Sequence, residues 1–400
     1  MFYFLHSYLL ELHSGFNVLR YITFRTVACA VTSFLLCAVL GPAVIRKLKI
    51  LNLTDNKDDS DLNRRRDAVM CDRGMPGLKE QADFSRSMKK GVPSVGGIII
   101  CAAVVLSTLL WVDVTNGFFQ LALFVFVSLS LVGLYDDLSK LRPKSRGVAG
   151  RYKLFWQAAA GIAAGLWLFY MGANIAALWN VDIANGDYRG FIDRSLATVL
   201  AFPFFKDYFL DLGWLYPLFA AIVIIGASNA VNLTDGMDGL ATGCMVFVAL
   251  VYTAFAYVTG NWQLSSYLGF LFIEGSGELA VFCSAIAGAS LGFLWFNSYP
   301  AQVFMGDTGS LALGGAIGAV AVIIKQEILL IIAGGIFVAE ALSVILQVGS
   351  FKLRKRRLFS IAPIHHHFEC SGLTEPKIIM RFLIVAAILA LISLGTLKLR

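Results

Sequence analysis

Charged side chains are scarce in this sequence. Asp, Glu, Lys and Arg together make up 15% of the 400 residues, whereas soluble globular proteins carry about 25%. This deficit excludes an ordinary soluble enzyme and a disordered protein, and we expect no nucleic-acid partner. Hydrophobic residues account for 58% of the chain, which includes 31 Phe and 37 Gly. The composition is typical of closely packed membrane-spanning helices.

Signs of disulfides and of a cleavable leader are also lacking. Five of the seven cysteines lie in apolar runs, while Cys71 and Cys370 lie in polar loops without metal-ligand spacing. We therefore expect neither a disulfide nor a zinc site. The first apolar stretch contains Glu11 and His13 and lacks the basic start and cleavage site of a signal peptide. Residues 1–18 are predicted to form an interfacial amphipathic helix.

Ten apolar stretches approach the length of about 20 residues that a membrane-spanning helix needs. They are 22–45, 95–113, 117–135, 154–174, 215–232, 240–259, 279–297, 309–324, 328–349 and 379–397. We predict an all-α polytopic membrane protein whose residues 1–400 form one domain. The apolar segment 195–205 is too short to cross the membrane and is predicted to be a surface or re-entrant segment.

The distribution of basic residues predicts the orientation in the membrane. One side receives 24 of the 33 Lys and Arg residues, in the loops 46–94, 136–153 and 350–378. Cytoplasmic loops are enriched in these residues, so this side is predicted to be cytoplasmic and both termini periplasmic. The extended loop 46–94 is assigned no fixed structure. The basic excess reflects either topology alone or attraction of anionic lipids and phosphorylated substrates.

Five aspartates lie at the predicted cytoplasmic ends of three spans. Asp136 and Asp137 close the third span, Asp235 and Asp238 follow the fifth, and Asp307 follows the seventh. Asp136 and Asp137 could be a solvated helix end. Asp235 and Asp238, which would share one face if they were helical, could cap the sixth span, and Asp307 could cap the eighth. Capping does not explain three acidic loops on one side, two of them without a basic residue. Clustered carboxylates beside a basic rim indicate Mg²⁺ and a phosphorylated substrate.

Basic partners lie close to these loops in the sequence. Lys89 and Lys90 precede a Gly-rich segment, 91–97, and Lys140 and Lys153 flank the loop after the aspartate pair. Glycines let backbone amides approach a phosphate, and a helix start adds a favourable dipole. Gly-Gly alone is weak evidence, because glycine is common where membrane helices pack.

Three of the five histidines are consecutive, at positions 365–367. Consecutive side chains cannot all face one metal from a helix or strand, so a zinc site is disfavoured. A substrate or phosphate contact by one histidine, with the others structural, is the favoured interpretation. Glu340 and Gln347 lie within the ninth span, where polar groups usually face the bundle interior or a cavity.

Taken together, three motifs resemble those of the phospho-N-acetylmuramoyl-pentapeptide transferases, within the polyprenyl-phosphate N-acetylhexosamine-1-phosphate transferases. They are 229–241 (NAVNLTDGMDGLA), 304–310 (FMGDTGS) and 362–369 (APIHHHFE). The histidine motif favours this branch over relatives that use other sugar nucleotides. The sequence departs from the family in its Gly-rich segment, GVPSVGG at 91–97, and in a longer first loop over 52–88.

The resemblance implies a ten-span, Mg²⁺-dependent enzyme of the bacterial inner membrane with a cytoplasmic active site, usually a homodimer. It implies transfer of phospho-N-acetylmuramoyl-pentapeptide from its UDP carrier to undecaprenyl phosphate, in contact with membrane lipid, with release of UMP. The implied catalytic residues are Asp136, Asp137, Asp307 and His366, with Asp307 and Asp136 as metal ligands. The implied substrate-binding residues are Lys89, Ser94, Lys153, Asn232, Asp235, Asp238, Asn297, Phe304, Gln347 and His365.

Two mechanisms and two other functions stay open at this point. In the first mechanism the acceptor phosphate, positioned by Asp136, attacks the donor directly. In the second mechanism an aspartate attacks the donor first, and the acceptor then attacks the phospho-aspartyl intermediate. Direct attack is favoured because the acceptor phosphate is already largely ionised. A sibling transferase using UDP-N-acetylglucosamine is one alternative function. A polytopic transporter is the other, although its polar residues are expected along a midplane pathway.

Overall fold

The computed structural model describes residues 2–3, 13–51, 53, 91–141, 147–178, 197–203 and 205–398. Most of the predicted amphipathic segment 1–18 and most of the loop 46–94 lie outside these residues. Lys89 lies outside them as well. The predictions made for those positions therefore stay predictions.

The described chain forms thirteen α-helices and one two-stranded sheet, in the following order. The elements are α1 (Ile22–Ile50), α2 (Gly97–Trp111), α3 (Gly117–Lys140), α4 (Gly150–Leu178), β1 (Val199–Phe202), β2 (Phe205–Asp211), α5 (Tyr216–Thr234), α6 (Leu240–Thr259), α7 (Trp262–Leu268), α8 (Gly277–Asn297), α9 (Gly306–Ile323), α10 (Leu329–Ala333), α11 (Gly335–Arg354), α12 (Ile364–Cys370) and α13 (Glu375–Gly395).

Each predicted span except 328–349 coincides with one helix of the described chain. Nine helices there are long and apolar enough to cross a membrane, and α2 is a shorter apolar helix of 15 residues. The predicted span 328–349 was wrong as one continuous helix, because it is divided into α10 and α11 at Gly334. The adjacent glycines 334 and 335 have low helix propensity, which explains a break at this point.

The segment predicted at 195–205 contributes to a β-hairpin. Strand β1 pairs antiparallel with β2, so that Val199 lies opposite Asp211 and Ala201 opposite Phe209. The all-α prediction therefore has one exception in the described chain. Short apolar runs do not distinguish a strand from a helix by periodicity, so the sequence predicted a surface or re-entrant segment here without a secondary structure.

The helix α9 lies at the centre of the bundle. In its apolar window 94% of the residues are buried, against 28% for α1. Small residues make this enclosure possible: a Cβ on Gly314 would lie 2.5 Å from the Ala227 carbonyl oxygen of α5. Membrane helices use such residues to bring their backbones close together.

A close approach between α3 and α9 positions the aspartates. A Cβ on Gly133 would lie 2.2 Å from the carbonyl oxygen of Asp307, so the two backbones are in contact there. Asp136 and Asp137 follow Gly133 by about one helical turn and therefore lie beside the start of α9.

Successive spans run in opposite directions, so helix ends collect on two faces of the bundle. The face that holds the ends of α3, α5 and α8 and the starts of α4, α6 and α9 is called the aspartate face here. The other face holds the starts of α1 and α8 and the segment 324–328, and is called the distal face. All five predicted aspartates lie on the aspartate face, as the sequence predicts.

Candidate active site

Three buried carboxylates meet at the aspartate face. Asp136 and Asp137 lie in the last turns of α3, Asp307 lies in the first turn of α9, and their exposed fractions are 0%, 3% and 8%. Each offers an oxygen, and these atoms all lie within 4.8 Å of one another. Like charges held so close repel strongly away from water, so the cluster requires cations.

Two lysines supply positive charge to the cluster. The Nζ of Lys140 lies 2.8 Å from Oδ2 of Asp136, 3.0 Å from Oδ1 of Asp307 and 3.5 Å from Oδ1 of Asp137. The Nζ of Lys153, from α4, lies 2.9 Å from the same Asp136 oxygen and also contacts Asp307. Two cations thus face three carboxylates, and Asp136 and Asp307 share both lysines.

Asp137 has a different environment from its neighbour. Its Oδ1 accepts a hydrogen bond from the backbone N–H of Asp307, and its Oδ2 accepts from the N–H and the hydroxyl of Thr308, at 3.1, 2.9 and 2.7 Å. The first N–H groups of a helix lack partners within that helix. Asp137 therefore caps α9 from another helix, a role that the sequence did not predict.

Asp136 is held by one backbone hydrogen bond and by the lysines. Its Oδ1 accepts from the N–H of Val148 at 2.7 Å, just before α4. This contact was not predictable, because nearly every residue type has a backbone N–H and the sequence therefore does not show which one donates. Its Oδ2 faces Lys140 and Lys153, and thus points to the same region as both oxygens of Asp307.

The donor set at this point fits Mg²⁺. Hard divalent cations prefer carboxylate oxygens, and two or more carboxylates commonly hold them beside a phosphate. Asp136 and Asp307 direct oxygens to the shared region, whereas both oxygens of Asp137 are engaged by α9. Among the described residues, no other group of three or more His, Cys, Asp or Glu has this arrangement.

Asp235 and Asp238 lie in a turn between α5 and α6. They are not helical and so do not share a helix face, because α5 ends at Thr234 and Gly239 adopts a left-handed φ of 74° before α6. Burial and the nearby carboxylates of Asp307 and Asp137 raise the pKa of Asp235 to about 7. The carboxylate of Asp238 accepts from the N–H of Ala301 at 3.0 Å. The turn that carries Asp235 is therefore close enough to the carboxylate cluster for the charges to interact.

Neither aspartate loop serves as the N-terminal cap of the helix that follows it. The N-cap residues of α6 and α9 are Gly239 and Met305, and neither helix has a side-chain cap of its own there. The simple capping explanation for Asp235, Asp238 and Asp307 is therefore wrong.

Two predicted substrate-binding residues hold loops together in this structure. Asn297 accepts from the N–H of Gly239 at 3.1 Å and donates to the carbonyl of Val303 at 2.9 Å. Gln347 accepts from the N–H groups of Leu358 and Phe359, each at 3.0 Å. Their side-chain amides position the loops at the aspartate face.

Three further predicted contacts are half-buried at the aspartate face, namely Ser94, Asn232 and Phe304. The N–H of Phe304 donates to the carbonyl of Pro93 at 2.8 Å, which joins the Gly-rich segment to the loop before α9. Gly306, with a φ of 70°, allows this packing, since a Cβ there would lie 2.3 Å from the Ser94 carbonyl oxygen.

The histidine motif forms the short helix α12. His365 is 1% exposed and lies 3.1 Å from Glu340, while His366 lies 3.2 Å from Glu369. The Nδ1 of His367 accepts from the N–H of Ser360 at 3.2 Å. The three side chains have different partners, in agreement with the argument against one shared metal.

A groove of about 760 Å³ adjoins the carboxylate cluster between α3 and α4. Lys153 and Gly147 lie at its polar end, and Leu131, Tyr135 and Trp156 provide apolar walls. These three apolar side chains are exposed on the outer surface of the helices. The groove therefore connects the cluster with the lipid-facing surface of the bundle.

Comparison with known proteins identifies the family. The family described as "Glycosyl transferase family 4" matches residues 118–325. A phospho-N-acetylmuramoyl-pentapeptide-transferase of Citrifermentans bemidjiense is 46% identical over 386 residues, covering 96% of each chain. Transferases with the same name from Pelobacter propionicus and Desulfotalea psychrophila are 47% and 46% identical over 96% and 100% of each chain. The carboxylate cluster lies within the matched region, and the chain belongs to glycosyl transferase family 4 and, within it, to the phospho-N-acetylmuramoyl-pentapeptide-transferases.

Proposed function

We propose that this protein transfers phospho-N-acetylmuramoyl-pentapeptide from its UDP carrier to undecaprenyl phosphate, forming lipid I and releasing UMP. The observation that carries the proposal is the cluster of three buried carboxylates with two lysines, to which the motif 304–310 contributes Asp307. The family relationship supplies the transferred group, because the relatives are named for phospho-N-acetylmuramoyl-pentapeptide transfer, and the resemblance of the motifs supplies the UDP carrier and the lipid acceptor.

Asp307 and Asp136 are the residues that would hold Mg²⁺. When bound, the ion would neutralise the diphosphate of the donor and the negative charge that develops during phosphoryl transfer. Lys140 and Lys153 lie against the same oxygens, so they can turn toward substrate phosphates once those oxygens bind a metal. Asp137 keeps α9, and with it Asp307, in place.

Direct attack is the mechanism that we favour, because the acceptor phosphate is already largely ionised and needs no strong general base. An oxygen of the lipid phosphate attacks the phosphorus attached to the sugar, the bond to the α-phosphate oxygen breaks, and UMP leaves with that oxygen. Both oxygens of Asp137 accept hydrogen bonds from the start of α9, so Asp137 is poorly placed to act as a nucleophile. Asp136 is left to position the acceptor phosphate together with Lys153.

The groove between α3 and α4 supports a lipid acceptor. An undecaprenyl phosphate has an apolar chain and an anionic head, and the groove pairs an apolar outer wall with Lys153 at its inner end. The nucleotide then binds on the other side of the cluster, near the turn 235–239 and the half-buried Phe304. An aromatic ring of this kind is suited to stacking on uracil.

We further propose that the enzyme is a homodimer of the bacterial inner membrane and that its aspartate face is cytoplasmic. The basic loops 46–94, 136–153 and 350–378 support this orientation. Single cysteines at Ser60 and Ser145 should resist labelling from the periplasmic side of intact cells. Efficient labelling at both positions would contradict the proposed orientation.

The activity is tested by UMP release from detergent-purified protein. UDP-N-acetylmuramoyl-pentapeptide and UDP-N-acetylglucosamine are offered separately, each with undecaprenyl phosphate and Mg²⁺. We expect release from the first donor only. Release from the second donor would favour the sibling transferase, and no release from either would favour a transporter.

A further inference from the structure

Glu340 is a buried carboxylate that has no role in the proposed reaction. It lies in α11 with an exposed fraction of 0%, and its Oε2 is 3.1 Å from Nδ1 of His365 in α12. Neither of its carboxylate oxygens has a hydrogen bond to any described residue. An isolated carboxylate is strongly disfavoured away from water, so the imidazole is the group that compensates it.

This pairing fixes the orientation of the His365 ring. A carboxylate at one ring nitrogen holds the proton on that nitrogen and determines which nitrogen faces the other way. With Nδ1 directed to Glu340, the opposite edge of the ring carries Nε2. Both ring nitrogens are buried without a hydrogen bond to a described residue, so Nδ1 is held at Glu340 by the 3.1 Å ion-pair contact alone and Nε2 has no polar partner there.

The Nε2 edge lies against the turn between α5 and α6. A Cβ on Gly236 would lie 2.4 Å from Nε2 and 2.8 Å from Cε1 of His365. Gly236 stands between Asp235 and Asp238, and only a residue without a side chain leaves room for the ring. The imidazole is therefore held between the Glu340 carboxylate and the turn that carries both aspartates.

We propose that Glu340 is a positioning residue that acts through His365 on the turn 235–239 and so sets the geometry of the uridine-nucleotide subsite. The inference rests on the proposed function, because that function assigns this turn to the nucleotide. Glu340 lies in α11 and is not a member of the carboxylate cluster of Asp136, Asp137 and Asp307, so we expect its main influence to be on nucleotide affinity.

The test compares UMP affinity and Mg²⁺ dependence in purified full-length protein. Glu340→Gln keeps the size of the side chain and removes its charge. We expect UMP affinity to fall about 10- to 100-fold, the range for removing a carboxylate that orients a functional histidine. The Mg²⁺ concentration that gives half-maximal turnover should change less than about two-fold.

Two further variants show whether the effect passes through His365. In a His365→Ala background, Glu340→Gln should not lower UMP affinity any further, because the ring that Glu340 orients is absent. Gly236→Ala should lower UMP affinity while Glu340 is intact, since the new methyl group displaces the ring. In the His365→Ala background that same methyl group should be tolerated.

Glu278→Gln is the matched control. Glu278 is a buried carboxylate paired with Arg25 on the distal face, so its loss should lower the melting temperature without changing UMP affinity in the folded protein. If Glu340→Gln behaves in the same way, Glu340 only supports the fold and the inference is overturned. Full additivity of Glu340→Gln and His365→Ala would overturn it as well. A wild-type protein that neither binds nor releases UMP would instead contradict the proposed function.

Discussion

The two faces of the bundle both bury charged side chains, but they balance the charges differently. On the distal face Arg25 and Glu278 form a bidentate pair with distances of 2.8 and 2.6 Å, and Glu278 also accepts from the N–H of Asp113 at 2.8 Å. One cation there meets one anion. On the aspartate face three carboxylates share two lysines, and a fourth carboxylate, Asp235, lies nearby.

The difference separates a structural ion pair from a site prepared for a ligand. Burying two charges is acceptable when each satisfies the other and the remaining oxygens have donors. The distal pair meets this condition by itself. The aspartate face has an excess of negative charge that only a further cation can balance, so its full stability and its activity should both depend on that cation.

The largest effect is expected from Asp307→Asn. This change keeps the size of the side chain and removes one of the two carboxylates directed to the shared metal region. Turnover should fall by about 1,000-fold or more, because metal stabilisation of a transferring phosphoryl group is worth several kcal/mol. UMP release measured across a Mg²⁺ titration checks this.

The same variant also tests the charge excess. Removing one carboxylate from a repelling cluster should leave the metal-free protein as stable as the wild type, or more stable. A normal Mg²⁺ dependence in Asp307→Asn would show that the metal binds elsewhere. It would also remove the contrast between the two faces.

The second largest effect is expected from Arg25→Met, and on stability alone. The change leaves Glu278 buried without its cation, which should destabilise the fold by about 3 kcal/mol. Turnover per folded molecule should stay at the wild-type level, because this pair lies on the opposite face from the cluster. The double variant Arg25→Met/Glu278→Leu should recover most of the stability, as measured by thermal unfolding in detergent. Lost turnover in the folded fraction would contradict a purely structural role.

Hydrophobicity was sufficient to locate the nine helices of the described chain that are long and apolar enough to cross a membrane, and the shorter apolar helix α2. It predicted neither the break at Gly334 nor the hairpin of β1 and β2. A long apolar run gives no sign of a helix break, and a short apolar run is compatible with a helix or a strand. The meeting of three loops at one face followed from the spans. Distances and partners did not follow, since they depend on close approaches such as that of Gly133 to Asp307.

Residue type also did not show to which groups the polar side chains of the site bond. Asp136 and Asp137 are adjacent and chemically identical, yet one faces the lysines and the other caps α9. Asn297 and Gln347 are polar residues in the expected places, but their amides bond to backbone groups of neighbouring loops. The sequence shows which residues can bond, whereas the fold decides to which groups they bond.

A smaller effect is expected from weakening the α9 cap. Asp137→Asn keeps one acceptor oxygen and replaces the other by a donor, so α9 loses part of its cap at a cost of about 1–2 kcal/mol. Turnover should fall about 5- to 30-fold through misplacement of Asp307, far less than in Asp307→Asn. Thr308→Val, which removes only the hydroxyl donor to Asp137, is the matched control and should reduce turnover less. Equal losses in Asp137→Asn and Asp307→Asn would show that Asp137 binds the metal directly.

The smallest effect concerns the pH dependence that the charge excess imposes. Because burial, Asp307 and Asp137 raise the pKa of Asp235 from 3.8 to about 7, the folded protein binds one more proton than the unfolded chain between these values. Stability of the metal-free protein should therefore fall as the pH rises from about 4 to about 7, and stay low above that. Asp235 is half-buried, so solvent screening limits the contribution to at most about 2 kcal/mol. Between pH 5 and pH 8 the melting temperature of Asp235→Asn should decrease less than that of the wild type. Added Mg²⁺ should make the decrease in the wild type smaller as well. An unchanged pH profile in Asp235→Asn would mean that this carboxyl ionises normally and lies outside the excess charge of the aspartate face.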